Sequence, residues 1–198
     1  MSNDNDWYNF ARHADEWFAN YASGANISGG VTMFTLGHSL ELYLKAVLVK
    51  RTDDAEGVIK KNHKIANLWK DCKTDPKFLP DYSLDEKFLE HDDIFSIDHL
   101  DFEDQEDFKK FVEHRSVYII SNHLPDLKYG LTKWKTLSEG QRRIMAWGTY
   151  EPYWITLFGS IRKYLEFPDH KEPDFLRIHL DQGRFSEQAK NYLEGLYE

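Results

Sequence analysis

Residues 34–50 read FTLGHSLELYLKAVLVK, and their spacing decides the fold. Leu36, Leu40, Tyr43, Leu44, Val47 and Leu48 recur at helical spacing and form one wide apolar face. Leu42, Ala46 and Val49 make much of the remaining circumference apolar as well. A helix that is hydrophobic nearly all round belongs in the centre of a domain. One polar stripe interrupts it: His38, Glu41 and Lys45, at i, i+3 and i+7, project on one side. The other helices are expected to pack around this rod.

Working outward, Trp7, Phe10, Ala11, Ala14, Trp17, Phe18 and Tyr21 fit a helical stripe and predict a first helix. Ser23, Gly24, Gly29 and Gly30 mark the connection into the central helix, which starts at or before Phe34. Arg51 to Gly57 reads as a polar loop. A short helix is expected near His63, with Ile65, Leu68, Trp69 and Cys72 on one face, stopped by Asp75-Pro76 and Leu79-Pro80. Ser83 with Glu86, and Ser138 with Gln141, are capping-box patterns that open later helices. The acids Asp98, Asp101, Glu103 and Asp104 precede the apolar pattern Phe108, Phe111, Val112, as the helix macrodipole favours. Pro152 should kink or restart a helix, because proline lacks an amide donor and suits a first turn. Trp154, Leu157, Phe158, Ile161, Tyr164 and Leu165 then form a strong stripe, closed by Pro168. Beyond it, Leu176, Ile178 and Leu180 alternate as a strand would, Asp181-Gln182-Gly183 signals a turn, and Ser186 opens a last short helix. The expected organisation is an all-α up-and-down bundle over residues 1–167. Residues 168–198 form a small extension, a short strand or hairpin plus helix, that docks on the bundle or on a partner.

Composition narrows the function classes. The 198 residues are 41% hydrophobic and 15% aromatic, enough for a sizeable core rich in rings. The formal net charge of -9 argues against a broad nucleic-acid coat, since phosphate neutralisation drives that binding, but leaves room for a local basic pocket. One cysteine, Cys72, can form neither an internal disulfide nor a thiolate zinc cluster. The acidic start MSNDNDWYNF lacks the basic region and apolar run of a signal peptide, and no stretch approaches the ~20 apolar residues of a membrane span. A cytoplasmic protein with no membrane partner is expected.

The segment Glu41-Leu42-Tyr43-Leu44-Lys45-Ala46, followed after a loop by His63-Lys64-Ile65 and Leu68, resembles the HEPN domain family. These are small all-helical domains whose name refers to nucleotide binding. Leu127-Lys128-Tyr129-Gly130 would hold the place of a later family segment of the Leu-Arg-Tyr-Pro kind, with Lys for Arg and Gly for Pro. The resemblance covers roughly Trp7 to Phe167. It implies a homodimer, a nucleotide or RNA as ligand, and a bacterial stress or defence setting. The family's nuclease branch uses an Arg followed four to six residues later by a His, in a dimer cleft. Here Arg115 and His123 have seven residues between them, about 80° apart and more than two turns distant on a continuous helix. Arg142 and Arg143 have no His at the required spacing. The departure favours a non-catalytic member over a divergent ribonuclease using Arg115 and His123.

Several constellations carry two readings each. His38, Glu41 and Lys45 make either a polar site for a ligand or another subunit, or a satisfied buried network, with Glu41 and Lys45 at a favourable i, i+4. Lys60, Lys61, His63 and Lys64 either hold a phosphate with the amides of the helix near His63 or form a solvated loop. Lys128, Lys133, Lys135, Arg142 and Arg143, interleaved with Tyr129 and Trp134, suit nucleotide or single-stranded nucleic acid, or a charged surface over a core Trp134. His91 and His99 beside Asp92, Asp93, Asp98 and Asp101 lack a His-Glu-x-x-His or a calcium loop, so an acidic face for solvent or a basic protein partner is expected rather than a metal site. No phosphate-binding loop, Gly-x-Gly-x-x-Gly or complete nucleophile elbow is present. No cofactor is expected. A non-enzymatic binding module is the leading expectation, and a protein that only binds partners through its acidic face and C-terminal strand is a third.

Overall fold

The computed structural model describes residues 6–22, 29–61, 65–80, 151–166, 181–183 and 190. Of these, 81% are helical and none lies in a strand, which places this part of the chain in the all-α class. Five helices are described: α1 (Asp6–Ala22), α2 (Gly29–Thr52), α3 (Ala55–Lys60), α4 (Ile65–Cys72) and α5 (Glu151–Leu165). Every extensive packing among them includes α2, which meets α1 most broadly and then α4, α5 and α3.

The burial pattern follows the sequence pattern. Leu36, Leu40, Tyr43, Leu44, Ala46, Val47, Leu48 and Val49 of α2 are buried, and Leu42 packs against the same core. The helix is therefore enclosed nearly all round. Ala11, Ala14 and Ala19 of α1 are buried, and their small side chains let the two backbones come close. The closeness is visible in Ser39, whose hydroxyl donates across to the Ala14 carbonyl at 2.8 Å. Phe158 of α5 is the hub of an aromatic cluster. Its ring lies 4.9 Å from Phe18, 5.0 Å from Tyr43 and 5.5 Å from Trp154, in edge-on and tilted geometries that ring quadrupoles favour.

The helix ends differ from the sequence expectation. The polar stretch Arg51 to Gly57 is not a loop. α2 continues to Thr52, and α3 begins at Ala55. Asp53 turns the chain in the left-handed region (φ 54°) while its N–H still reaches the Val49 carbonyl at 2.8 Å. Asp54 then caps α3, its carboxylate accepting from the Gly57 N–H at 2.8 Å. α4 ends at Cys72, before either proline. Its last carbonyls, those of Asp71 and Cys72, each accept from the Arg51 guanidinium at 3.1 Å. α5 ends at Leu165, before Pro168, with Glu166 in the left-handed region (φ 49°) and Pro152 in its first turn. The expected strand at Leu176, Ile178 and Leu180 lies outside the described residues. Within the expected turn, Asp181 is helical and Gly183 lies in the left-handed region at φ 63°.

Candidate functional site

The polar stripe of α2 is one site. Glu41 and Lys45 lie at 1% and 6% exposure, with Lys45 Nζ 2.6 Å from Glu41 Oε1. A buried ion pair in this geometry is charge-assisted and one helical turn long, so it forms within α2 itself. His38 stands at the edge of the pair. Its Nδ1 is 3.7 Å from Glu41 Oε2, and a quarter of its side chain reaches the surface. Two rings flank it. The imidazole stacks nearly parallel to Phe34, with centroids 5.8 Å apart, and meets the Trp17 indole edge-on at 4.9 Å. Trp17 comes from α1, whereas Phe34 is one turn before His38 on α2. The result is a half-buried aromatic corner whose exposed polar edge is one imidazole, backed by a buried carboxylate–ammonium pair.

The basic cluster Lys60, Lys61, His63 and Lys64 is only partly described. Lys60 is exposed at the end of α3. Lys61 Nζ is 2.6 Å from Asp71 Oδ2, so this ammonium ties α3 to α4. His63 and Lys64 lie outside the described residues. So do Lys128, Tyr129, Arg142 and Arg143, the ribonuclease candidates Arg115 and His123, and the acidic region with His91 and His99. Among the described residues, no group of three His, Cys, Asp or Glu side chains is placed to hold a metal ion, and no helix is long and apolar enough to cross a membrane.

A buried polar network on the opposite side of α2 was not anticipated. Asp15 of α1 accepts from the Tyr43 hydroxyl through Oδ1 and from the Arg162 guanidinium through Oδ2. All three are nearly or fully buried: Tyr43 0%, Asp15 1% and Arg162 6%. The network joins α1, α2 and α5. Burial, and then the adjacent Asp15 carboxylate, push the Tyr43 hydroxyl well above the ordinary tyrosine range, although Arg162 pulls the other way. Tyr43 is therefore protonated at neutral pH and donates its hydroxyl proton to Asp15. One signal in the sequence could have found the network. Asp15 sits four residues after the core residue Ala11, and Arg162 four after Phe158, so each interrupts an apolar stripe with opposite charge.

Cys72 is inert by placement. It is fully buried, its thiol donates to the Leu44 carbonyl at 3.5 Å, and burial drives its pKa far up. Compared with protein-family models, with curated proteins and with solved structures, the chain matches none of them. Its class is defined by its own residues: among the described residues, an all-α arrangement built round one enclosed helix, with a quarter-exposed histidine where that helix's polar stripe reaches the surface.

Proposed function

We propose that this chain is a HEPN-like, non-enzymatic binding module, acting as a homodimer, that recognises a nucleotide, an RNA segment or a protein partner. The observation that carries the reading is the aromatic corner of Trp17, Phe34 and His38 over the buried Glu41–Lys45 pair. Rings beside one part-exposed imidazole offer a flat base both a stacking partner and a polar edge, and stacking of this kind is tolerant of base identity. The segment Glu41–Ala46 that carries the family resemblance is the same segment that holds the pair. A bacterial stress or defence setting follows from the resemblance alone.

The test is titration of the protein with nucleoside mono- and diphosphates and with a short single-stranded RNA, followed calorimetrically. Micromolar binding is expected, with His38→Ala weakening it about tenfold, which corresponds to ~1.4 kcal/mol. Equal affinity in the two proteins would remove the corner from the site. Gel analysis of the RNA after incubation separates binding from cleavage: intact RNA with both wild type and an Arg115→Ala, His123→Ala variant is expected. Light scattering on the eluting protein reads the dimer directly.

A further inference from the structure

The end of α5 is held by polar contacts from three different elements, all within the turn from Arg162 to Glu166. From α1, Asp15 takes the Arg162 guanidinium. From the turn after α4, Asp75 Oδ2 accepts the Tyr164 hydroxyl at 2.6 Å. From α2, Lys50 donates to the Leu165 carbonyl and sits 3.4 Å from Glu166 Oε2, with its ammonium 4.9 Å from the Trp7 ring. The rest of the described face of α5 is apolar: Trp154, Leu157, Phe158, Ile161 and Leu165. An apolar face of this kind tolerates sliding, because one ridge of side chains resembles the next after a turn of about 5.4 Å. Polar groups do not tolerate it. A shift by one turn would leave Asp15 and Arg162 buried without each other, which is strongly unfavourable.

We propose that the final turn of α5 is a register clamp. Its polar contacts contribute little net stability over an apolar alternative, yet they select one axial position of α5 against α1, α2 and α4. Asp15–Arg162 is the discriminating contact, because it is the one whose two charged groups are both buried. The clamp thereby fixes the axial position of the α5 C-terminus, Leu165 and Glu166, against α1, α2 and α4. It involves neither His38 nor its aromatic corner, so it stands or falls separately from the binding reading.

The test compares three variants of the full chain. Arg162→Met alone leaves the buried Asp15 carboxylate without its guanidinium and should lower the Tm by roughly 10 °C. A triple variant, Asp15→Leu, Tyr43→Phe, Arg162→Met, replaces the network by apolar groups of similar size, and should return to within a few degrees of wild type. Hydrogen exchange read on peptides from 154–165 should nonetheless be about tenfold faster in the triple variant than in wild type, with peptides from α2 unchanged. Arg162→Lys keeps the charge and loses the fork, and should retain wild-type exchange in α5 at a modestly lower Tm. Two results overturn the clamp. One is a triple variant as unstable as Arg162→Met, which would make the network a plain source of stability. The other is a triple variant with wild-type protection in α5, which would mean that apolar packing alone sets the register.

Discussion

Asp15 and Arg162, 147 residues apart in sequence, meet as an ion pair inside the core, and the Tyr43 hydroxyl completes the cluster. Their separation means that α1 and α5 each bring half of a charge pair that is tolerable only when both halves are in place. Breaking such a pair costs more than forming it contributes, because the partner left behind remains desolvated.

It follows that Asp15→Asn and Arg162→Met should each destabilise the fold by about 3–5 kcal/mol, and that their effects should be far from additive. Tyr43→Phe removes one donor but leaves Asp15 on Arg162, so its cost should be smaller, about 1.5–3 kcal/mol. Urea unfolding of the three single variants and the double variant measures both the costs and the coupling.

Gly57 and Asp54 set up a second cycle. A Cβ added at Gly57 would lie 2.0 Å from Asp54 Oδ2, so Gly57→Ala should expel the capping carboxylate. Loss of the cap costs about 1 kcal/mol, while replacing a helical glycine by alanine returns about the same amount. Gly57→Ala should therefore be close to neutral, Asp54→Ala destabilising, and Gly57→Ala stabilising when Asp54 is already alanine. The sign change between the two backgrounds, read by denaturation, is the prediction.

Tyr164 and Asp75 give a pH dependence with a defined sign. Burial and the hydrogen bond to Asp75 raise Tyr164 to about 12, and that same bond, with the Lys77 N–H at 2.9 Å, holds Asp75 below its usual value. A raised tyrosine contributes stability that is complete below its unfolded pKa of ~10 and is lost as pH climbs towards the folded value. A lowered aspartate contributes stability that is complete above its unfolded pKa of ~3.9 and is lost as pH falls through the folded value. The Tm gap between wild type and Tyr164→Phe should thus be flat at neutral pH, narrow between pH 10 and about 12, and narrow again in acid below pH ~4. A gap that widened in either window would contradict the hydrogen bond.

Cys72 should resist alkylation by iodoacetamide at pH 8 in the folded protein and react fully in denaturant, because the thiolate is suppressed by burial. Mass spectrometry of the alkylated protein reports the fraction directly. Rapid labelling under native conditions would show that α4 opens readily.

Four of the five described helices were legible from periodicity. The stripes of α1 and α5, the all-round apolar α2 and the short face Ile65, Leu68, Trp69, Cys72 each repeat at helical spacing and are buried, except that Trp7, Phe10, Trp17 and Tyr21 of the α1 stripe and Tyr164 of the α5 stripe are only half-buried. α3 was not legible. Six residues, Ala55 to Lys60, bury one of their number, Val58, which is too little for a period to show. The helix ends were misplaced for a related reason. Prolines mark where a helix cannot continue, whereas α4 and α5 stop earlier, where Arg51 and Lys50 arrive from α2 to take the last carbonyls and Glu166 turns left-handed; α2 instead runs past the expected loop start at Arg51 to Thr52, where Asp53 turns left-handed.

The linear order of residues by itself determined, over the described residues, an all-α arrangement whose central rod is α2, and it placed His38, Glu41 and Lys45 together, because residues three and four apart share a helix face in any context. Only the tertiary structure decided that Glu41 and Lys45 are buried while His38 reaches solvent beside Trp17, and that Asp15 finds Tyr43 and Arg162. Contacts within one helix follow from its geometry. Contacts between helices depend on which faces meet and at what axial offset, and no local period encodes either.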